Sequence, residues 1–224
     1  GNREDITGKV IITIDPPDSK DFDDAISLEK NEGGQWVLGV HIADVSHFIK
    51  SESALDKEAY LRGNSVYLPE KTIPMLPEML SNGVCSLQPG QLRFVKSVYI
   101  TYGDSGEVVD TRFANSVMRS TQRLTYLQAD KSLKKGDESV KPEVAELLQH
   151  MDQLSKAIER RRYKVGMLHL DLPEVELVLD DSGKVVGAEY AEDSYPHTMI
   201  EMFMVEANEA VASFLDNKED SFLR

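Results

Sequence analysis

Five aspartates lie within ten residues near the start of the chain, in the run Asp15-Pro-Pro-Asp-Ser-Lys-Asp-Phe-Asp-Asp24. Carboxylates held this close repel one another and raise each other's pKa unless a cation shares the site. Oxygen ligands without a nearby Cys or His favour Mg²⁺ or Mn²⁺. Two such ions could support an in-line attack on a phosphodiester. The run therefore predicts a divalent-metal site suited to hydrolysis.

Three other interpretations of the acidic run compete with a metal site. A solvated acidic loop is the commonest fate of a charge run, but here apolar strands flank the run and Phe22 interrupts it. A calcium loop of the EF-hand type requires Gly at the sixth position and Glu at the twelfth, and both are missing. Asp21-Phe-Asp23 could indicate an aspartyl-phosphate nucleophile, but a loop separates it from the preceding strand.

The segments around the acidic run have the pattern of β-strands. Residues 9–15 are rich in β-branched side chains and stop at a Pro-Pro pair, which predicts a strand ending at Asp15. Residues 25–30 and 35–45 predict a hairpin, and residues 93–102 and 107–118 predict a second one. The acidic run is therefore expected in a loop between two strands.

Other segments have helical periodicity. Residues 53–63, 73–83, 124–133, 142–164 and 198–215 are predicted helices, with a β segment at 177–186. The chain up to about residue 118 is mainly β, and the rest is mainly helical. The fold class predicted is α+β, with a mixed, largely antiparallel sheet and helices.

Composition limits the class of protein. With 224 residues of which 41% are hydrophobic, the chain can bury a core, so disorder is excluded as its main state. The formal net charge is -14, which lacks the basic footprint of a self-sufficient nucleic-acid binder. A single cysteine, Cys85, and the lack of a long apolar run predict a cytoplasmic protein without a membrane partner.

The acidic run and several further blocks resemble the ribonuclease II / ribonuclease R family, whose catalytic part is the RNB domain. The signature is Thr13-Ile-Asp-Pro-Pro-Asp-Ser-Lys-Asp-Phe-Asp-Asp-Ala25, and similar blocks follow in the family's order at residues 39–48, 62–69, 73–87 and 199–210. Residues 1–224 resemble the N-terminal portion of that domain. The OB-fold (cold-shock) and S1 patterns of the family are missing, and the family's domain continues past the position of Arg224 with an Arg-rich motif.

The resemblance implies a metal-dependent, hydrolytic 3′-to-5′ exoribonuclease that releases 5′-nucleoside monophosphates from single-stranded RNA. The family's Mg²⁺-binding aspartates match Asp15, Asp21, Asp23 and Asp24, whereas Asp18 lies outside the pattern. Mn²⁺ is the alternative ion. Asp23 matches the position whose loss stops cleavage most severely while RNA binding survives.

The resemblance also assigns RNA contacts. Tyr67 matches an aromatic residue that clamps bases, Tyr126 matches one near the terminal nucleotide, and Glu201 matches an acidic position at the terminal ribose. His169 and Leu170 stand where the family has a second stacking aromatic, so the base clamp departs from the pattern. Gln91 stands where the family usually has an Asp that pairs with the following Arg.

Two other groups of residues are interpreted as structural. His41, Asp44 and His47 could suggest a zinc site, but their spacing on a strand alternates faces, so a structural role is expected. The basic run at residues 156–164 is expected to be a solvated helix end whose charges complement the helix dipole.

Two functions of different classes follow. The first is the exoribonuclease just described. The alternative is a noncatalytic RNA-binding or scaffold relative, or an inactive piece that needs the missing remainder of its own domain as a partner. The four aspartates favour the first hypothesis, and the missing arginine motif favours the alternative for this chain by itself.

Overall fold

A computed structural model describes residues 2–68, 71–168, 175–180, 184–190 and 195–216. The strands are β1 (Glu4–Asp5), β2 (Ile12–Asp15), β3 (Asp24–Lys30), β4 (Trp36–Ala43), β5 (Val66–Leu68), β6 (Lys71–Ile73), β7 (Leu92–Tyr102), β8 (Val108–Arg119), β9 (Gln122–Thr125), β10 (Val175–Leu179) and β11 (Val185–Tyr190). The α-helices are α1 (Val45–Phe48), α2 (Ala54–Arg62), α3 (Tyr126–Lys135), α4 (Pro142–Lys164) and α5 (Tyr195–Asp216).

A seven-stranded sheet forms the framework, in the order β1-β8-β7-β4-β3-β2-β9. Neighbouring strands run antiparallel, except that β1 pairs with β8 and β2 pairs with β9 in parallel. Two small hairpins, β5–β6 and β10–β11, lie apart from this sheet. The expected α+β fold with a mixed, largely antiparallel sheet is confirmed.

One face of the sheet packs against the helices α3, α4 and α5. Strand residues alternate between faces, and Ile12, Ile26 and Leu38 point to this side. The apolar positions of α4 recur with helical spacing and are buried there, at Val144, Leu147, Leu148, Met151, Leu154 and Ile158. This layer is the main hydrophobic core, and the predicted helix at 142–164 is confirmed.

The opposite face carries a smaller core near the acidic run. Phe22 packs there with Ala25, Cys85 and Leu87. Cys85 is a buried free thiol in this core. The acidic loop is therefore anchored on a core of its own and does not extend freely into solvent.

The start of the helix predicted at residues 73–83 is wrong. Ile73 ends strand β6, and helical structure begins only with a π-helical turn at Met79–Val84. The physical reason lies in Pro74 and Pro77, because a proline pushes the residue before it away from helical backbone angles.

The helix predicted at residues 124–133 begins two residues later than expected. Leu124 belongs to β9, which extends the sheet by pairing in parallel with β2. The Thr125 side chain accepts a hydrogen bond from the Gln128 backbone N–H (3.1 Å), and the Gln128 side chain accepts one from the Thr125 N–H (2.9 Å). This capping box fixes the start of α3 at Tyr126.

The interpretation of the basic run as a solvated helix end is wrong for two of its residues. Arg161 and Arg162 form ion pairs with Glu206 of α5, whose carboxylate is buried. The periodicity of α4 does not indicate which helix packs against its C-terminal end. The ion pairs with Glu206 could therefore not be predicted from residues 156–164. Over the described ranges, no helix has the length and apolar character needed to cross a membrane.

Candidate metal centre

The four predicted metal ligands lie at one end of the sheet. Strands β2 and β3 are antiparallel neighbours, so Asp15 at the end of β2 lies close to Asp24 at the start of β3. The loop that joins the two strands carries Asp21 and Asp23. Asp18 is exposed on the same loop. The topology therefore brings together four side chains that the sequence places up to nine positions apart.

The electrostatics of this end are unfavourable for free carboxylates. Burial raises the pKa of Asp15 to about 6, and the negative charges of Asp24 and Asp21 add to the effect. The pKa of Asp23 is also raised to about 6, because packing around the loop removes solvation and because Asp21 and Asp24 repel its charge. Burial likewise raises the pKa of Asp24. Positive charge placed among these groups would stabilise all of them.

Arg123 supplies part of that charge from the neighbouring strand β9. Its guanidinium donates a hydrogen bond to the Pro16 carbonyl and lies over the Phe22 ring, 5.3 Å from the ring centroid. Its attraction lowers the pKa of Asp15 against the larger effect of burial. One arginine does not balance four carboxylates, so the site still has an excess of negative charge.

The donor set fits a hard divalent cation. Every candidate ligand is a carboxylate, and Asp15 Oδ2 is buried without a hydrogen-bond partner. Within the described residues, no three His, Cys, Asp or Glu side chains converge as a ready-made metal cage. A cation that binds here would have to draw the carboxylates closer together, and its charge would offset their mutual repulsion. The residues present therefore suit Mg²⁺ or Mn²⁺, in agreement with the preference of these ions for oxygen ligands.

Tyr67 stands beside the carboxylates on the short strand β5. Its hydroxyl donates a hydrogen bond to Asp21 Oδ2 at 3.3 Å, and 68% of the residue is exposed. An exposed ring next to an acidic site can stack on a nucleobase that approaches the site. The base contact predicted for Tyr67 stays a prediction.

Tyr126 lies on the helical side of the same end. Burial raises its pKa to about 12, and the negative charges of Asp24 and Asp15 contribute. Its ring meets the ring of His197 edge to face, with centroids 5.4 Å apart. Because His197 lies in the first turn of α5, this contact places the start of α5 beside the acidic end of the sheet.

Glu201 is exposed on α5, one turn beyond His197. Residues four apart share a helix face, so Glu201 lies on the face of α5 that carries His197. Its predicted contact with a terminal ribose stays a prediction. The same holds for the second stacking position, because His169 and Leu170 lie outside the described residues.

The trio considered for zinc is dispersed into three separate environments. His41 is fully buried between two serine hydroxyls, Asp44 accepts hydrogen bonds from Arg3 (2.6 Å) and Ser46 (2.7 Å), and the His47 ring packs on Phe94. Each of the three side chains therefore makes structural contacts with a different set of neighbours. The structural interpretation of the trio agrees with these contacts.

Sequence reasoning missed two residues that touch the site. Arg123 immediately precedes the helix predicted at residues 124–133 and has no predicted role, whereas the structure places it on strand β9 next to Asp15. Ser86 hydrogen-bonds the loop that carries Asp21, although nothing in its sequence context indicates a polar contact. The only available signal for Arg123 was its position in a short alternating segment before Thr125, which is typical of a strand.

Comparison with known proteins gives one family and several close relatives. The model of the RNB domain matches residues 3–224. Ribonuclease R of Mycoplasmopsis pulmonis is 44% identical over 211 residues, which cover 94% of this chain and 29% of the relative. Ribonuclease R of Thermotoga maritima is 42% identical over 217 residues, which cover 96% of this chain and 31% of the relative.

A solved structure shares the fold. The structure of Mycoplasma genitalium RNase R in complex with ribose-methylated single-stranded RNA matches with a TM-score of 0.91 and 36% identity, over 96% of this chain and 34% of that one. This chain therefore spans about a third of the length of the relatives that it matches.

Proposed function

Because the chain belongs to the family defined by the RNB domain, we propose that it is the metal-binding portion of a hydrolytic exoribonuclease that removes nucleotides from the 3′ end of single-stranded RNA. The observation that carries this proposal is the carboxylate end of the sheet: the buried Asp15 Oδ2 has no hydrogen-bond partner, and the loop that follows it carries Asp21, which accepts a hydrogen bond from the exposed Tyr67. The relatives that match are named ribonuclease R, and one of them binds single-stranded RNA.

The aspartates would hold the ions. In this proposal Asp15, Asp21 and Asp24 act as ligands, and Asp23 is the residue on which cleavage depends most. When bound, Mg²⁺ or Mn²⁺ would supply positive charge that offsets the charge of a phosphodiester under attack by water. The buried, unpaired Asp15 Oδ2 is ready to accept such a contact without losing a hydrogen bond.

The aromatic residues would position the substrate. Tyr67 stacks on a base from the exposed side of the loop, and Tyr126 bounds the pocket for the last nucleotide from the helical side. Glu201, on the face of α5 that carries His197, would accept a hydrogen bond from a 2′-hydroxyl and so favour RNA over DNA. Stacking does not read sequence, which suits an enzyme that degrades any single strand.

A cleavage assay tests the proposal. The chain is incubated with a 5′-labelled single-stranded RNA and Mg²⁺ or Mn²⁺, beside the same oligonucleotide as DNA. We expect a ladder that shortens from the 3′ end, on RNA only, and that disappears with EDTA. If the wild-type chain cleaves nothing, the alternative of an inactive piece or a noncatalytic RNA-binding relative is favoured.

Asp23 provides the sharpest variant. Asp23→Asn is expected to reduce the cleavage rate at least about a hundredfold, while the Kd for RNA in fluorescence anisotropy changes less than about threefold. Asp18→Asn is the matched control, because Asp18 is exposed on the same loop and lies outside the ligand pattern. Retained cleavage in Asp23→Asn would remove Asp23 from the mechanism.

A cytoplasmic location stays part of this proposal.

A further inference from the structure

The loop that carries Asp21 is fastened by a buried serine from a distant part of the chain. The Ser86 hydroxyl donates a hydrogen bond to the Lys20 carbonyl at 2.7 Å and accepts one from the Phe22 backbone N–H at 3.2 Å. These two backbone groups stand on either side of Asp21. Ser86 is 0% exposed, so water cannot replace either bond if the hydroxyl is removed.

Backbone hydrogen bonds also hold the loop that carries Asp21. The Leu87 N–H donates to the Phe22 carbonyl at 2.8 Å, and the Phe22 ring lies in the smaller core with Leu87. On the far side, the Ala43 N–H donates to the Asp23 carbonyl at 2.9 Å. Every peptide group that flanks Asp21 or Asp23 therefore makes a hydrogen bond to another part of the chain.

Arg93 ties Ser86 to the sheet. Its Nε donates to the Ser86 carbonyl at 2.6 Å, and its Nη2 donates to the Gly83 carbonyl at 3.2 Å. Since Arg93 lies on strand β7, these bonds connect the rigid sheet to the segment that holds the loop.

We propose that Ser86 is a positioning residue for the metal centre, and that it keeps the carboxylates of Asp21 and Asp23 assembled. The inference rests on the proposed metal site. Carboxylates that repel one another tend to separate, so a loop that carries them needs a fixed backbone if it is to bind a cation tightly. Ser86 fixes that backbone from both sides of Asp21 without touching the ion itself.

The test is Mn²⁺ binding measured by isothermal titration calorimetry on the 224-residue chain. Ser86→Ala is expected to raise the Kd for Mn²⁺ about tenfold, the usual effect of losing a group that orients a metal ligand. Ser97→Ala is the matched control: Ser97 is 2% exposed and hydrogen-bonds His41 and Ser116 in the sheet, away from the loop. Its Kd should stay within about twofold of the wild-type value.

Thermal unfolding separates positioning from general damage. Ser86→Ala and Ser97→Ala each remove one buried hydroxyl, so both should lower the Tm, whereas only the first should weaken Mn²⁺ binding. Equal Kd values for the wild type and Ser86→Ala would overturn the inference, and so would equal weakening in both variants. If Ser86→Ala does not fold, Arg93→Lys decides: a raised Kd for Mn²⁺ supports the inference, and an unchanged Kd overturns it.

The same titration separates this inference from the proposed function. If the wild-type chain does not bind Mn²⁺, or if Asp24→Asn binds it as tightly as the wild type, the metal site itself is wrong. If both behave as the site requires and Ser86→Ala is unchanged, only the role of Ser86 is wrong.

Discussion

Asp15 shows how a residue suited to metal binding weakens the fold that carries it. Its carboxyl group is buried, one of its oxygens has no hydrogen-bond partner, and its pKa is raised to about 6. A pKa above the unfolded value means that the ionised form is less stable in the folded state at neutral pH. The partial offset from Arg123 leaves a net cost, which a bound cation would remove.

Removing that charge should therefore stabilise the metal-free protein. In buffer with EDTA at neutral pH, Asp15→Asn is expected to increase the free energy of unfolding by about 1 kcal/mol, which corresponds to about 2–4 °C in Tm. Adding Mg²⁺ should raise the Tm of the wild type and have a smaller effect on the variant. Thermal unfolding with and without Mg²⁺ measures both. A lower Tm for Asp15→Asn in EDTA would contradict the electrostatic account.

At the scale of elements, the sheet holds a buried polar row that crosses four strands. His41 Nε2 lies 2.9 Å from Ser27 Oγ, His41 Nδ1 lies 2.9 Å from Ser97 Oγ, and Ser97 Oγ donates to Ser116 Oγ. Gly39 makes room for the imidazole, because a Cβ at that position would lie 2.8 Å from His41 Nε2 and 2.4 Å from Ser27 Oγ. The row fixes the register of β3, β4, β7 and β8 around a ring that must stay neutral.

This neutral histidine predicts a pH dependence of stability. Burial lowers the pKa of His41 from 6.5 to about 3, so between these values the unfolded chain binds a proton that the folded protein does not. Stability is therefore lost as the pH falls below about 6.5, by up to about 1.4 kcal/mol per pH unit. The raised pKa values of Asp15 and Asp23 act in the opposite direction between pH 6 and 4, so the wild-type curve alone does not isolate His41.

A variant isolates the histidine contribution. The free energies of unfolding of the wild type and of His41→Gln are measured in urea between pH 7.5 and 4.5. As the pH falls, the wild type should lose more stability than the variant, because only the wild type has the buried imidazole. The carboxylates are common to both proteins, so their contribution cancels in the difference. A pH-independent difference would show that the imidazole is not held neutral in the fold.

At the scale of the whole molecule, Glu206 joins three parts of the structure. Its buried carboxylate on α5 accepts hydrogen bonds from Tyr102 of β7 (3.0 Å), Arg162 of α4 (2.7 Å) and Arg161 of α4. Arg161 also donates to the Gly106 carbonyl at 3.0 Å, in the turn between β7 and β8. This network orients α5, the helix whose first turn lies beside the acidic end of the sheet.

Breaking the network should be costly. Glu206→Ala leaves two partly buried arginines without this partner and should lower the free energy of unfolding by about 3–5 kcal/mol. Glu209→Ala is the control, because Glu209 is an exposed partner of Arg162 alone, and its loss should cost less than about 1 kcal/mol. The free energy of unfolding of each variant is measured in urea. Equal losses would show that the buried ion pairs of Glu206 stabilise the fold no more than the exposed ion pair of Glu209.

The net charge of -14 bears on RNA affinity. Most of the binding energy for RNA comes from Lys and Arg that neutralise phosphates, and this chain has few of them for its acidic content. At the same salt concentration, we expect it to bind single-stranded RNA at least about tenfold more weakly than the whole ribonuclease R of Thermotoga maritima. Fluorescence anisotropy measures both Kd values. Equal affinities would mean that local basic groups outweigh the net charge.

Elements whose signals are local could be predicted from the amino-acid sequence. Alternation and turn residues predicted the hairpins, helical periodicity predicted the helix at 142–164, and Ser53 and Gly63 mark the ends of α2 as expected. The sequence also identified the acidic run, because side chains of one charge packed into one loop are visible without a fold. Where two local signals competed, as with the prolines at 74 and 77 or the strand before Thr125, the predicted element boundaries were wrong.

Only the tertiary structure decided what lies around the acidic run. The pairing of β2 with β3 and β9 brings Asp15, Asp24 and Arg123 together, and the smaller core brings Ser86 against the loop. The partners of Arg161 and Arg162 likewise depend on the packing of α5 on α4. The hydrogen bonds of Arg123 with Pro16, of Ser86 with Lys20 and of Arg162 with Glu206 join residues that are 107, 66 and 44 positions apart, and no local pattern specifies them. Burial and long-range pairing are properties of the folded chain, which is why the acidic run was visible in the sequence and the contacts that support it were not.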